Sequence, residues 1–265
     1  MKRTVILGFL LTTGCGNHPT SMTRPTTVTP HVPASMPEVP QFMLGYFAGS
    51  ADTPEIQSAN MVLVIPTYVD DPEKVAAAMQ AHRQLAIVSM HHVFGNPRET
   101  WTQGWKQTRE WMAPLERAGL VIGVYVVDEP IANGNQNAAE AISIVRGAGY
   151  RTMIGENYAW GYREPRPPVD WYGITCYEFG GEGSHKNARC LQLNADNSKF
   201  NVVIGQATDF GDGYTDQMAW YRTAKDNGKL GLIWWVYRWP GEMGAADSSE
   251  ILAQHRQIAA MEGIH

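Results

Sequence analysis

The sequence predicts a single-domain α/β protein, a (β/α)8 TIM barrel, and three observations predict it. Eight short runs of apolar and β-branched residues recur along the chain, with helix-like segments between most of them. The runs are continuous instead of alternating, which is how strands covered on both faces read. The length of 265 residues suits a barrel of roughly 250 residues. The rival architecture, an open doubly wound sheet, needs a Gly-rich phosphate loop after its first strand. Here that stretch is "GYFAGSADTPE", without the GxGxxG spacing.

Taken in order, the chain opens with "MKRTVILGFLLTTGCGN", a basic start followed by an apolar stretch too short for a stable membrane span. Residues 1–14 are expected to be a signal peptide. The segment "LLTTGC" resembles a bacterial lipobox, with Thr12 where Leu is usual. The resemblance implies lipidation of Cys15 and a membrane-anchored lipoprotein, periplasmic or at the cell surface. Residues 15–41 are rich in Pro, Thr and Ser with no apolar period, the composition of a flexible tether. The barrel is expected over residues 42–265.

Strands are expected from Phe42, Met61, Leu85, Leu120, Arg151, Trp171, Asn201 and Gly231. "DDPEKVAAAMQAHR" has an Asp cap and a Pro in the first turn of a helix. "ETWTQGWKQTREWMAPLERAG" and "NQNAAEAISIVRGAG" both stop at Gly. "YTDQMAWYRTAKDNG" and "SSEILAQHRQIAAM" repeat the helical pattern, whereas the prolines of "AWGYREPRPPVD" make it a loop.

The formal charge of −5 argues against a nucleic-acid partner, which would bring a basic patch. Nine Trp and eleven Tyr supply apolar faces for the core and for sugar rings. The chain is read as a monomer that uses no cofactor. Of the three cysteines, Cys176 and Cys190 can close one disulfide in an exported protein or remain separate thiols. Their spacing gives no zinc site.

Chemistry in such barrels sits at the C-terminal ends of the strands. Those positions hold Tyr46, Tyr68, His91, His92, Asp128, Glu129, Glu156, Tyr177, Glu178, Gln206, Asp209, Trp235 and Tyr237. Glycoside hydrolysis needs this inventory, with one carboxylic acid for the leaving oxygen, a second group at the oxocarbenium-like centre and aromatic faces for the sugar. The strand-4 ending "VVDEP" resembles the clan of (β/α)8 glycoside hydrolases with an Asn-Glu-Pro or Asp-Glu-Pro acid/base motif. "IWWVYRW" is similar to that clan's substrate-stacking end of strand 8. The resemblance implies a carbohydrate substrate, Glu129 as general acid and Asp128 as its polar neighbour. Their places at the strand ends make Tyr46, His91, Glu156, Tyr177, Gln206, Asp209, Trp235 and Tyr237 the expected sugar contacts.

The sequence departs from the clan at strand 7, where "VVIGQATDF" places Gln206 in the position of the nucleophilic Glu. An amide forms no glycosyl ester, so Glu178 becomes the second catalytic carboxylate, ahead of Glu156 and Asp209. His91 and His92, read as strand neighbours, point to opposite faces and share no metal. Two other classes stay open: a carbohydrate-binding barrel without catalysis, and a metal-assisted hydrolase, although no HExxH spacing supports the latter.

Overall fold

The computed structural model describes residues 36–48, 56, 58–69, 71–130, 137–157, 169–175, 184–196, 198–206, 216–235 and 245–264. The leader with Cys15 lies outside these residues, as do Tyr177, Glu178, Asp209, Tyr237 and Cys176.

Eight parallel strands form one sheet: β1 (Met43–Ala48), β2 (Met61–Val64), β3 (Leu85–Ser89), β4 (Val121–Asp128), β5 (Thr152–Asn157), β6 (Trp171–Thr175), β7 (Val202–Gln206) and β8 (Gly231–Trp235). Their order is β6-β5-β4-β3-β2-β1-β8-β7, so each strand lies beside its sequence neighbour and β1 pairs with β8. Each expected strand is present. The helices are α1 (Pro72–Ala81), α2 (His91–Phe94), α3 (Trp101–Arg117), α4 (Ala138–Gly147), α5 (Ser184–Asp196), α6 (Gln217–Asp226) and α7 (Ser249–Met261). Asp71, Asp216 and Ser248 cap α1, α6 and α7 by accepting from backbone N–H groups of the first turn. Neither α2 nor α5 was expected from the sequence.

Burial on both faces divides the core into two layers. The barrel interior holds Met43, Phe47, Met61, Leu63, Ile87, Ile122, Tyr125, Met153, Trp171, Val202, Ile204 and Ile233. The intervening strand residues, Leu44, Val62, Val88, Ile154 and Leu232 among them, pack outward against the helices. The interior is narrow. A Cβ on Gly123 would sit 2.4 Å from the Trp171 ring, so only Gly admits that indole.

The N-terminal end of the barrel is stitched by residues just before the strands. Asn60 accepts from Leu44 N (2.9 Å) and donates to Phe42 O (2.9 Å), joining β2 to β1. Asp170 accepts from both the N–H and the hydroxyl of Thr152, joining β6 to β5. Asn201 accepts from Tyr172 N (2.7 Å) and donates to Asp170 O (2.8 Å), and its own N–H reaches Tyr172 O (3.1 Å). That third device holds β7 to β6, the seam where the sheet order begins and ends.

One boundary moves. The expected tether runs to residue 41, yet Met36 packs against the outer layer and Val39 against the interior cluster. Arg151 donates to Pro37 O (3.3 Å), fixing the same segment. These apolar residues bury surface that a tether would leave in water, so they belong to the barrel. Cys190 is buried and disulfide-bonded, and its partner lies outside the described residues.

Candidate active site

Strand β4 decides what the mouth of the barrel contains. Its register against β5 pairs Tyr125 with Met153 but Val127 with Ile154, so one extra residue is bulged out at Val126. Val126 and Val127 therefore both pack in the outer layer. Inward alternation resumes with Asp128, paired with Gly155. A bulge re-aims every later side chain of its strand. Without it, Tyr125, Val127 and Glu129 would share the inner face; with it, Asp128 follows Tyr125 there.

Asp128 lines a cavity of about 380 Å3 at the C-terminal mouth, with Phe47, Leu63, Ile65, Thr67, Tyr68, Ser89, His91, His92, Tyr125 and Trp235. These come from the ends of β1, β2, β3, β4 and β8 and the turns that follow. Aromatic rings build one wall: Phe47 meets Tyr125 edge-on at 5.4 Å and Trp235 at 5.3 Å. Tyr125 donates its hydroxyl to Asp128 Oδ1 at 2.5 Å. Gly155 makes that bond possible, since a Cβ there would stand 2.8 Å from the Tyr125 hydroxyl. The backbone N–H of Asp128 donates to His91 Nδ1 at 3.3 Å.

Burial pushes the Asp128 carboxyl above the usual carboxylate range, against the opposing pull of the Tyr125 hydroxyl and of His91. His92 is held below the usual histidine range by burial and then by the neighbouring His91. The site thus offers a carboxyl that keeps its proton to higher pH than normal, beside a neutral imidazole. That is the equipment of a general acid.

Glu129 does not line this cavity. It is half-buried, its N–H continues the ladder to Gly155 O (2.9 Å), and its φ is +41°. The other described non-glycine residue with positive φ, Arg83, ends helix α1, where a left-handed turn is ordinary. Glu129 has no helix end to account for it, so its strain belongs to the rim of the site.

Several expected site residues are placed elsewhere. Tyr46 is fully buried in the outer layer, bonded to Ser58 (3.0 Å) and His255 (2.5 Å) and set against Trp234. It alternates with Phe47, and Phe47 takes the inner face. Glu156 is buried one residue beyond inward-facing Gly155, on the parity of outward-packed Ile154. His91 and His92 are not strand neighbours: β3 stops at Ser89 and both begin α2, so both reach the same cavity. Sequence reading missed this turn, and also passed over Tyr125, Phe47 and Ser89 as ordinary strand residues. Gln206 ends β7, paired in register with Trp235. Trp235 does line the mouth. Among the described residues, no group of three His, Cys, Asp or Glu side chains could hold a metal ion.

No family model matches the chain, and no curated protein matches it. Solved structures do. GH5_18 from Bifidobacterium longum subsp. longum aligns with a TM-score of 0.53 at 10% identity, over 84% of this chain and 79% of that one. The endo-1,4-beta-D-mannanase of Thermotoga petrophila aligns at 0.52 and 10% identity, over 79% and 93%. A sugar phosphate isomerase/epimerase from Parabacteroides distasonis aligns at 0.51 and 8% identity, over 80% and 97%. At such identities the likeness establishes the barrel fold and nothing finer.

Proposed function

We propose that this barrel is a glycoside hydrolase-like enzyme acting on a poly- or oligosaccharide, with Asp128 in place of Glu129 as the general acid. The observation that carries the reading is the protonation-prone Asp128 carboxyl, aimed into an aromatic-walled cavity at the chemistry-bearing end of the barrel. In this reading Asp128 protonates the glycosidic oxygen as the C–O bond breaks, and Phe47, Tyr68 and Trp235 hold the sugar by its apolar faces. Glu178 remains the proposed second carboxylate. A separation of about 5–5.5 Å from the acid would give retention, and about 6.5–9.5 Å inversion through water.

The test is a panel of neutral oligosaccharides assayed for new reducing ends with the wild type, Asp128→Asn and Glu129→Gln. Asp128→Asn is expected to lower turnover by roughly two to four orders of magnitude, and Glu129→Gln by less. The reverse ranking returns the acid to Glu129. A second reading, a carbohydrate-binding barrel without turnover, is favoured by Gln206 at the end of β7. Its mark is oligosaccharide binding with no reducing ends released by the wild type.

We also propose export and lipid attachment at Cys15. Mass spectrometry of the mature protein from its native host checks this, and an unmodified N-terminus downstream of Cys15 removes the anchor.

A further inference from the structure

A second cavity, about 440 Å3, lies between the turn after β2 and helix α3, and shares Thr67 and His92 with the mouth cavity. Its lining from α3 is a single stripe at helical spacing: Thr100 just before the helix, then Gln103, Gly104, Gln107, Thr108 and Trp111. No residue of that stripe is charged, although the same helix carries Lys106, Arg109, Glu110, Glu116 and Arg117 on its other faces. An exposed helix face normally collects charges. This one collects amides and hydroxyls instead, with an indole at the far end whose N–H is fixed on Val69 O (3.2 Å).

Gly104 lowers helix propensity in mid-helix and lets α3 close on α2, since an added Cβ would stand 3.1 Å from Val93 Cγ1. One further feature points to a ligand. His92 uses Nε2 on Thr108 Oγ1 (3.0 Å), while its Nδ1 is buried without a protein partner. Burial keeps that ring neutral. A neutral, half-satisfied imidazole suits a hydroxyl, which can donate or accept as the tautomer requires.

We infer that this groove is a further sugar subsite, taking one or more units of a neutral oligosaccharide beyond the unit held in the mouth cavity. The chemistry selects the class: uncharged hydrogen-bonding groups beside an indole fit a neutral polyol, and give a phosphate or carboxylate no cation to meet. The shared residues Thr67 and His92 set the groove beside the mouth cavity that Asp128 lines, so the occupant is an extension of the same substrate. The inference rests on the carbohydrate reading above.

The experiment measures kcat/KM for neutral β-1,4-linked gluco- and manno-oligosaccharides of increasing length, from two units to six, and Kd for the same ligands on Asp128→Asn. Wild type is expected to gain roughly tenfold between the dimer and the longer oligomers. The double substitution Gln103→Ala/Gln107→Ala, at exposed helix positions that leave the fold intact, is expected to abolish most of that gain. A length dependence that survives the double substitution, or a wild type that cleaves dimer and hexamer equally well, overturns the subsite and leaves Asp128 catalysis standing. A wild type that neither binds nor cleaves any member overturns the carbohydrate reading and this inference with it.

Discussion

The two ends of the barrel use the same side chains for opposite purposes. At the N-terminal end Asn60, Asp170 and Asn201 each meet backbone groups of the preceding strand, and every one of those bonds is local to the ladder. At the C-terminal end Asp128 faces a cavity, held by a tyrosine hydroxyl and raised in pKa by burial. A carboxylate or amide that completes a ladder stabilises the sheet. One that faces a cavity is costly to ionise, and its retained proton is available for chemistry. Position along the strand, and not residue type, separates structure from function here.

The widest split between the ends comes from exchanging one residue at each. Asp128→Asn is expected to remove nearly all turnover, by the orders of magnitude given above, and to raise Tm at neutral pH. The amide still accepts from Tyr125 and never ionises, so the cost of desolvating a carboxylate is removed. Kinetics and thermal melts on one preparation check both halves, and a lowered Tm would mean that the mouth is built like the floor.

Asn201→Ala is the converse. It strips two side-chain bonds from the β6–β7 seam and leaves buried main-chain groups unpaired, so urea denaturation should show a loss of about 2–4 kcal/mol. Activity per folded molecule is expected to persist. Loss of activity at full stability would break the division between the ends.

Acid sensitivity is expected from neither rim. His255 lies in the outer layer, stacked on Trp234 at 3.7 Å and bonded to Tyr46 and Gln217, and burial holds its pKa down to about 3. The folded state therefore binds fewer protons than the unfolded chain between the unfolded pKa of about 6.5 and the folded one. Its contribution is fully present above that window and is lost as pH falls through it, at up to about 1.4 kcal/mol per pH unit. Stability measured against pH should show this slope, and His255→Gln should flatten it.

The smallest effect sharpens the site itself. Tyr125→Phe removes the hydroxyl that favours ionised Asp128, so the carboxyl should keep its proton to still higher pH. The basic limb of the pH–rate profile is then expected to move up. An unmoved limb would place Tyr125 outside the acid's environment.

The eight strands, their parallel order and most helices are written in the sequence. Strands buried on both faces must be apolar throughout, and helix ends carry local chemistry, such as the Asp71 and Asp216 caps, that no distant contact alters. The sequence also crowds chemistry-bearing residues at the strand ends. Which of them face the cavity is set by the packing of strand on strand. Parity is relative: the bulge at Val126 gives the inner face to Asp128, the pairing of β1 gives it to Phe47 over Tyr46, and the early stop of β3 turns two histidines into one helical turn. A continuous apolar run such as "VIGVYVV" contains no alternation from which that phase can be read. The register is set by the neighbouring strands, whose contacts come from residues far away in the chain.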